Sequence, residues 1–243
     1  MLSCKLSFKQ QLLTAFNISE KRMSQESPPL NTHPLSEYVA LGGIRNRDPV
    51  LSVLKEKLPQ TPGHVLEFAS GSGMHINYFA PHFKHLRFHP TDKDTGVFDN
   101  IKKLSSENYN DNIADPVHLD LAQAETWSNL GKARSFAALF CINFFQVVPI
   151  SIANAMMECA DNLLDENGFL LVYGPFQLEG NFLSDSNKEF HERLRSSGIA
   201  DWGLKDVVDL KEVSKKHGLE LKEQINMPAN NFALVFGRRY MNS

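Results

Sequence analysis

The chain has 243 residues, 42% of them hydrophobic, and a formal net charge of −3. This length suits one α/β domain with a sizeable core, and the charge balance argues against a broad nucleic-acid-binding surface. No stretch approaches the roughly 20 apolar residues that a membrane helix needs, so we expect no membrane partner. The three cysteines are too far apart for a metal site or a disulfide framework, which favours a cytoplasmic protein.

The first 27 residues differ in composition from the rest, and we interpret residues 1–27 as an N-terminal extension. Lys5 and Lys9 lie among scattered leucines, and no acidic residue precedes Glu20. An organelle transit peptide has a similar composition, but arginine is scarce here and no secretory cleavage site follows. Met23 offers a second start, so an over-long start or a frayed segment is the preferred interpretation. We assign residues 28–243 to a single folded domain.

Helix and strand patterns alternate regularly from residue 48 onward. Asp48 is a good N-cap for a first helix, with Pro49 at its first position and its end near Leu58. Seven strands are predicted, at 64–68, 86–91, 117–119, 136–143, 169–173, 219–227 and 232–238. After the first helix, further helices are predicted at 74–82, 97–108, 150–164, 186–196 and 206–217. Asn167 and Gly168 should end the helix at 150–164 with a left-handed cap. This order predicts a mainly parallel sheet covered by helices, closed by an antiparallel hairpin.

A tight turn of small residues follows the first strand and precedes a helix. Its pattern is E-x-A-x-G-x-G, formed by Glu67, Ala69, Gly71 and Gly73. Gly71 and Gly73 allow backbone angles closed to other residues and leave room for a ligand against the main chain. Ile76 stands where a dinucleotide fingerprint has its third glycine, and no G-K-[ST] of a P-loop follows. An ordinary strand–turn–helix corner is the alternative interpretation.

Polar residues at strand ends are the other site candidates, because open parallel sheets bind ligands beyond the carboxyl ends of their strands. Asp92 ends the second strand, where an acid can accept two hydrogen bonds from a ribose diol, and Asp94 is its rival. Asp120 follows the third strand and could accept an adenine amino group, with Leu121 packing on the ring. Asn143 ends the fourth strand. Each of these residues could instead cap a turn or tie down a loop.

Several runs resemble the class I S-adenosyl-L-methionine (SAM) dependent methyltransferases, and among them the group catalogued as domain of unknown function 938, the methyltransferase-like 26 proteins. The matching runs, in order within residues 34–238, are Arg45-Asn46-Arg47-Asp48-Pro49, residues 66–75, Pro90-Thr91-Asp92, Tyr173-Gly174-Pro175-Phe176, Trp202-Gly203 and Met227-Pro228-Ala229-Asn230-Asn231. The resemblance implies an α/β, Rossmann-like, seven-stranded mainly parallel sheet with helices on both faces and SAM as cofactor. The cofactor-binding residues that it implies are Asn46, Glu67, Ala69, Ser70, Gly71, Gly73, Asp92, Asp120, Leu121 and Asn143.

The sequence departs from the family pattern after the fourth strand. Gln146 stands where the family often has His, and Ile150 where it often has Trp. If that His were a general base, this chain would lack it, so no catalytic residue is assigned. Candidates near the mouth of the pocket are His75, Tyr173, Asp201 and Asn231. The aromatic residues Phe144, Phe145 and Trp202 could line an acceptor pocket or pack in the core.

Three hypotheses follow for the function. The first is a SAM-dependent methyltransferase that acts on a small molecule or a protein side chain; no N/D-P-P-Y/F run supports a nucleic-acid acceptor. The second is a non-catalytic SAM-binding partner or sensor protein. The third, an NAD-dependent reductase, is disfavoured by Ile76 and by the lack of a Tyr-x-x-x-Lys pair. The sequence leaves the acceptor and the oligomeric state open.

Overall fold

A computed structural model describes the chain from residue 36 to residue 239. The predicted N-terminal extension at 1–27 and the predicted domain start at 28 therefore lie outside the described residues. From Tyr38 onward the chain forms one compact unit. Within the described range, no helix combines the length and the apolar content that crossing a bilayer requires.

The described residues form six α-helices and nine strands. The helices are α1 (Ser36–Lys57), α2 (Met74–Phe79), α3 (Phe98–Glu107), α4 (Ile150–Leu163), α5 (Asp185–Ser196) and α6 (Val207–Lys216). The strands are β1 (Gly63–Phe68), β2 (Leu86–Asp92), β3 (Val117–His118), β4 (Phe136–Ile142), β5 (Leu164–Gly174), β6 (Gln177–Leu178), β7 (Asn181–Phe182), β8 (Leu219–Met227) and β9 (Asn231–Arg238). Short 3-10 helices occupy Ala80–His82, Thr95–Val97, Ala124–Leu130, Phe145–Val147 and Pro228–Asn230.

Seven of the strands form one sheet in the order β3-β2-β1-β4-β5-β9-β8. Strand β9 runs antiparallel to both of its neighbours, while the other pairs are parallel. The predicted fold, a seven-stranded mainly parallel sheet with a closing antiparallel hairpin, is thereby confirmed. The strand order reverses between β1 and β4, so the crevice for a ligand is expected beyond their carboxyl ends.

Apolar side chains cover both faces of the sheet. On one face Leu66 and Phe68 of β1 pack with residues of α4 and α6, such as Met156 and Leu210. On the other face Val65 packs with residues of α1 and α2. This burial on two sides explains why the central strands are apolar throughout.

Helix α1 corrects the predicted start of the first helix. It begins at Ser36, so Pro49 lies inside it and Asp48 is not its N-cap. A Cβ atom at Gly43 would lie 1.9 Å from the Cε atom of Met74, so this half of the helix packs directly on α2. That packing offsets the hydrogen bond that Pro49 cannot donate. Asp48 instead accepts a hydrogen bond from the Tyr78 hydroxyl.

The predicted left-handed cap at Gly168 is also wrong. Helix α4 ends at Leu163, and Gly168 lies inside β5 without a positive φ. A Cβ atom there would lie 2.8 Å from the main-chain oxygen of Phe136. Glycine is needed at this position for a close backbone approach, because β5 begins irregularly beside β4. The small β6–β7 hairpin was not predicted.

Candidate functional site

Every second residue of the turn after β1 has a left-handed backbone. Ala69, Gly71 and Gly73 have φ values of 52°, 52° and 76°. The Ser70 amide donates to the main-chain oxygen of Thr91 at 2.8 Å, which ties the turn to the end of β2. Ala69 adopts its left-handed conformation at a cost of about 1 kcal/mol, a cost that a glycine would avoid.

The two glycines of the turn have different surroundings. A Cβ atom at Gly71 would meet no protein atom within 4 Å, whereas one at Gly73 would lie 2.9 Å from Cγ1 of Ile101. Gly73 therefore lets α3 pack against the turn, and this packing explains the glycine at position 73 even without a ligand. Gly71 faces open space at the carboxyl edge of the sheet.

Asp92 fastens the turn from the end of β2. Its Oδ2 accepts a hydrogen bond from the Gly71 amide at 2.8 Å, and its Oδ1 accepts one from the Asp94 amide at 2.9 Å. Burial raises the pKa of this carboxyl, although these amides oppose the shift. A carboxylate has about four acceptor positions, so capacity for a ligand remains. The rival Asp94 accepts from the Gly96 amide at 2.9 Å and caps a 3-10 helix.

Glu67 is a buried carboxyl at the end of β1. Among the described residues its Oε2 has no hydrogen-bond partner. Burial is the main cause that raises the pKa of Glu67 to about 8, and the charge of Asp92 adds to the effect. The Thr91 hydroxyl donates to the main-chain oxygen of Glu67 at 2.7 Å, which fixes the strand end, a role that no sequence pattern indicated. A hydrogen bond from the Ser70 side chain lowers the pKa of Glu67 and so opposes the shift, but Oε2 has no donor that would stabilise its charge.

Asp120 caps the turn that follows β3, which is the alternative to a ligand role that the sequence left open. Its Oδ1 accepts from the Ala122 amide at 3.0 Å, and its Oδ2 accepts from the Gln123 side chain at 3.2 Å. Leu121 beside it is buried in the core cluster of α4. Both residues lie beyond the carboxyl end of β3, where the prediction expected them.

Asn143 turns the chain directly after β4. It has a φ of 53°, and its amide donates to the main-chain oxygen of Tyr173 at 2.8 Å. The buried side chain of Gln146 donates to the main-chain oxygen of Asn143 at 2.8 Å. The main-chain oxygen of Gln146 in turn accepts from the Gly203 amide at 2.8 Å. Gln146 thus connects the end of β4 to the loop before α6.

Asn46 reaches the turn from α1. Its Oδ1 lies 2.7 Å from Nε2 of His75, the second residue of α2. Desolvation lowers the pKa of His75 to about 4, and the charge of Arg47 lowers it further. His75 is therefore neutral at physiological pH and serves as a contact between the two helices.

The remaining candidates separate by burial. Phe145 and Trp202 are buried in the core, Phe144 is half-buried at the strand end, and Asp201 is exposed. Tyr173 is buried at the end of β5, where the Asn231 side chain lies beside its hydroxyl. In the part of the chain from 36 to 239, no three His, Cys, Asp or Glu side chains form a potential metal site.

Solved structures share this fold. An O-methyltransferase family protein from Burkholderia thailandensis superposes with a TM-score of 0.69 at 15% identity, over 97% of this chain and 71% of that chain. CalO1, a methyltransferase in calicheamicin biosynthesis solved in an SAH-bound form, gives 0.64 at 14% identity, over 93% and 61% of the two chains. An O-methyltransferase family 2 protein from Planctomyces limnophilus, solved in complex with apigenin, gives 0.65 at 14% identity, over 84% and 61%. At such identities the likeness shows the fold alone, which is that of the class I methyltransferases.

A family profile also matches most of this chain. The profile described as "Protein of unknown function (DUF938)" matches residues 38–238. This stretch includes the turn after β1, the strand ends and the β8–β9 turn described above. Because the match extends over most of the sequence, the chain belongs to the DUF938 family of proteins of unknown function.

Proposed function

We propose that this protein is a SAM-dependent methyltransferase that acts on a small molecule or on a protein side chain. The observation that carries the proposal is the buried Glu67 carboxyl, whose Oε2 has no described partner, beside a turn that borders open space. We also propose that the chain belongs to the methyltransferase-like 26 group, because its sequence runs match the pattern of that group.

The residues present fit SAM in two respects. Glu67 supplies one unpaired carboxyl oxygen, Oε2, for the cationic amino-acid end of the ligand, which would lower the cost of keeping Glu67 charged. Gly71 has no protein atom within 4 Å of a built Cβ, so the ligand can lie against its backbone. Asp92 lies beside this turn, at the end of β2, and keeps acceptor capacity for a ribose diol.

SAM supplies a methyl group on a sulfonium, which is a good leaving group. The contribution of the protein is therefore mainly to orient the acceptor, a contribution that can reach several kcal/mol when reacting atoms are held about 3–3.5 Å apart. Asn143 and Gln146 support this role, because they fix the carboxyl end of β4 where the acceptor would enter. We assign no general base.

A SAM-binding partner or sensor without transferase activity is the second candidate. It is favoured by the state of His75, because desolvation lowers the pKa of His75 to about 4 and its Nε2 contacts Asn46, so the most obvious candidate is a weak base. An acceptor that is already deprotonated or neutral needs no base, so this observation does not exclude catalysis.

Calorimetric titration with SAM tests the site. Glu67→Gln cannot take up the negative charge that Glu67 would carry beside the cationic ligand, and we expect it to weaken SAM binding roughly tenfold or more, as for a lost charge-assisted hydrogen bond. The matched control is Glu166→Gln, the same change at an exposed residue before the β5 core, which should bind as the wild type does. Equal affinities for all three proteins would contradict the assignment of the site.

Transfer of radiolabelled methyl groups from SAM into a cell lysate separates the two candidates. Lysate fractions of small molecules and of proteins are counted separately, with the protein carrying Glu67→Gln as the control. Label that accumulates only with the wild type supports a methyltransferase. Binding of SAM without any label in either fraction would favour the sensor.

A further inference from the structure

A small space lies beside the buried Gly174, where the carboxyl ends of β4 and β5 meet. A Cβ atom built on Gly174 would lie 3.7 Å from Oε1 of Gln146, 3.8 Å from Oδ1 of Asn143 and 3.7 Å from Cε2 of Phe176. These are ordinary van der Waals distances, so a methyl-sized group fits here without a clash. The backbone does not require glycine at this position, because Gly174 has no positive φ. The missing side chain therefore leaves room between two amide oxygens.

Both amide oxygens have unused capacity to accept hydrogen bonds. The Nε2 atom of Gln146 donates to the main-chain oxygen of Asn143 at 2.8 Å, which fixes the amide and leaves Oε1 toward the space. No described residue donates a hydrogen bond to Oε1 of Gln146 or to Oδ1 of Asn143. Gln146 is only 7% exposed, so bulk water reaches little of it. Because a buried carbonyl oxygen without a donor costs free energy, the space favours a ligand that donates hydrogen bonds.

The two oxygens are held in place by the surrounding main chain. The main-chain oxygen of Gln146 accepts from the Gly203 amide at 2.8 Å. The loop that carries Gly203 is fixed in turn, because the Leu204 amide donates to Nδ1 of His191 in α5 at 3.1 Å. Asn143 is tied to β5 by its own amide, as described above. Acceptors that are fixed before a ligand arrives lower the entropic cost of binding it.

The number of acceptors selects the kind of donor. A hydroxyl carries one hydrogen and satisfies one of the two oxygens, whereas a primary amino group carries two hydrogens and can satisfy both. A nitrogen in this space forms hydrogen bonds if it lies within about 1 Å of the built Cβ position, on the side of the oxygens. Neither oxygen is charged, which favours a neutral amine over an ammonium ion. The lone pair of that nitrogen stays free when both hydrogens are donated.

We propose that this space binds a primary amino group of the methyl acceptor, and that its nitrogen is the atom that is methylated. The transfer of a methyl group rests on the proposed function, whereas the amine subsite rests on Gly174, Gln146 and Asn143. Asn143, which the family resemblance implies for the cofactor, is thereby assigned to the acceptor. In the transfer the nitrogen lone pair forms the new N–C bond, and the C–S bond breaks with its electron pair on sulfur. One N–H proton then leaves to water, so a neutral amine needs no general base.

Binding of three small probes to the full chain tests the subsite. Aniline, phenol and toluene share one ring and are uncharged near neutral pH, and they offer two, one and no polar hydrogens. Ligand-observed NMR titrations compare the wild type with Gly174→Ala, which fills the space with a methyl group that meets no clash. The matched control is Gly63→Ala at the start of β1, where a Cβ atom would lie 3.5 Å from that of Ala137 and φ is not positive either.

We expect the wild type and Gly63→Ala to bind aniline roughly tenfold more tightly than toluene, with phenol between them. Gly174→Ala should lose this order while its melting temperature stays close to that of Gly63→Ala. Asn143→Gly removes one oxygen and suits the φ of 53°, so it should bind aniline no better than phenol. The proposal is overturned if the wild type does not prefer aniline to both other probes, or if Gly174→Ala and Asn143→Gly keep that preference.

A SAM titration of the same variants separates this proposal from the proposed function. SAM affinity should change less than about threefold in Gly174→Ala, because Glu67 and Asp92 are intact. A loss of SAM affinity in folded Gly174→Ala with unchanged aniline binding would assign the space to the cofactor and overturn the amine subsite. Aniline binding that depends on the space beside Gly174, in a protein that does not bind SAM, would preserve the subsite and remove the proposed function.

Discussion

Replacing Glu67 by glutamine should change how the stability of the ligand-free protein depends on pH. Burial raises the pKa of Glu67 from 4.5 to about 8 in the folded chain, so the folded state retains a proton that the unfolded state releases. Between these two pH values the wild-type free energy of unfolding should fall by about 1.4 kcal/mol per pH unit because of this residue. By pH 7 the loss is about 3 kcal/mol, a large fraction of a typical domain stability. A glutamine side chain does not titrate, so Glu67→Gln removes this loss.

Urea denaturation of both proteins at several values from pH 5 to pH 8 measures the effect. The difference in free energy of unfolding should shift in favour of Glu67→Gln as the pH rises, by on the order of 3 kcal/mol over this range. A buried glutamine amide adds a cost of its own, but that cost is constant with pH and cancels from the slope. If the difference stays constant within about 0.5 kcal/mol, Glu67 titrates as an exposed acid and the reasoning fails.

Two further predictions concern the same turn. Asp92→Ala should lose the acceptors of the Gly71 and Asp94 amides, so we expect lower thermal stability and roughly 30- to 1,000-fold weaker SAM binding by calorimetry; unchanged affinity in a folded variant would refute the ribose assignment. Gly71→Val should fold with a loss of about 1–3 kcal/mol, because its φ is positive while its Cβ meets no protein atom, and it should abolish SAM binding. Circular dichroism and a SAM titration on one sample check both parts, and normal SAM binding by folded Gly71→Val would remove the turn from the cofactor site.

The sequence predicted the sheet well because its signals are local and agree with one another. The apolar run of β4, the glycines after β1 and the Gly218 end of α6 each depend on a few neighbouring residues. The acids at strand ends could be placed for the same reason, since Asp92 and Asp120 follow recognisable strands. Their second roles, as acceptors for turn amides, depend on how the chain closes around them.

The failures lie where distant contacts override local preference. Pro49 usually marks a helix start, but the packing of Gly43 on Met74 extends α1 beyond it. Gly168 looks like a helix cap, but the main-chain oxygen of Phe136 decides its role. No spacing in the sequence reports such contacts.

The position of β9 has a consequence for synthesis of the chain. Among the described strands, β8 pairs with β9 alone, and β9 joins it to β5. When β8 leaves the ribosome it has no neighbour to pair with, and the edge of β5 stays open until β9 has also emerged. A translation product that stops between the two strands would expose the backbone donors and acceptors of β5, an edge prone to aggregation. Slow translation through the β8–β9 turn should therefore lower the yield of native protein more than an equal pause before β8.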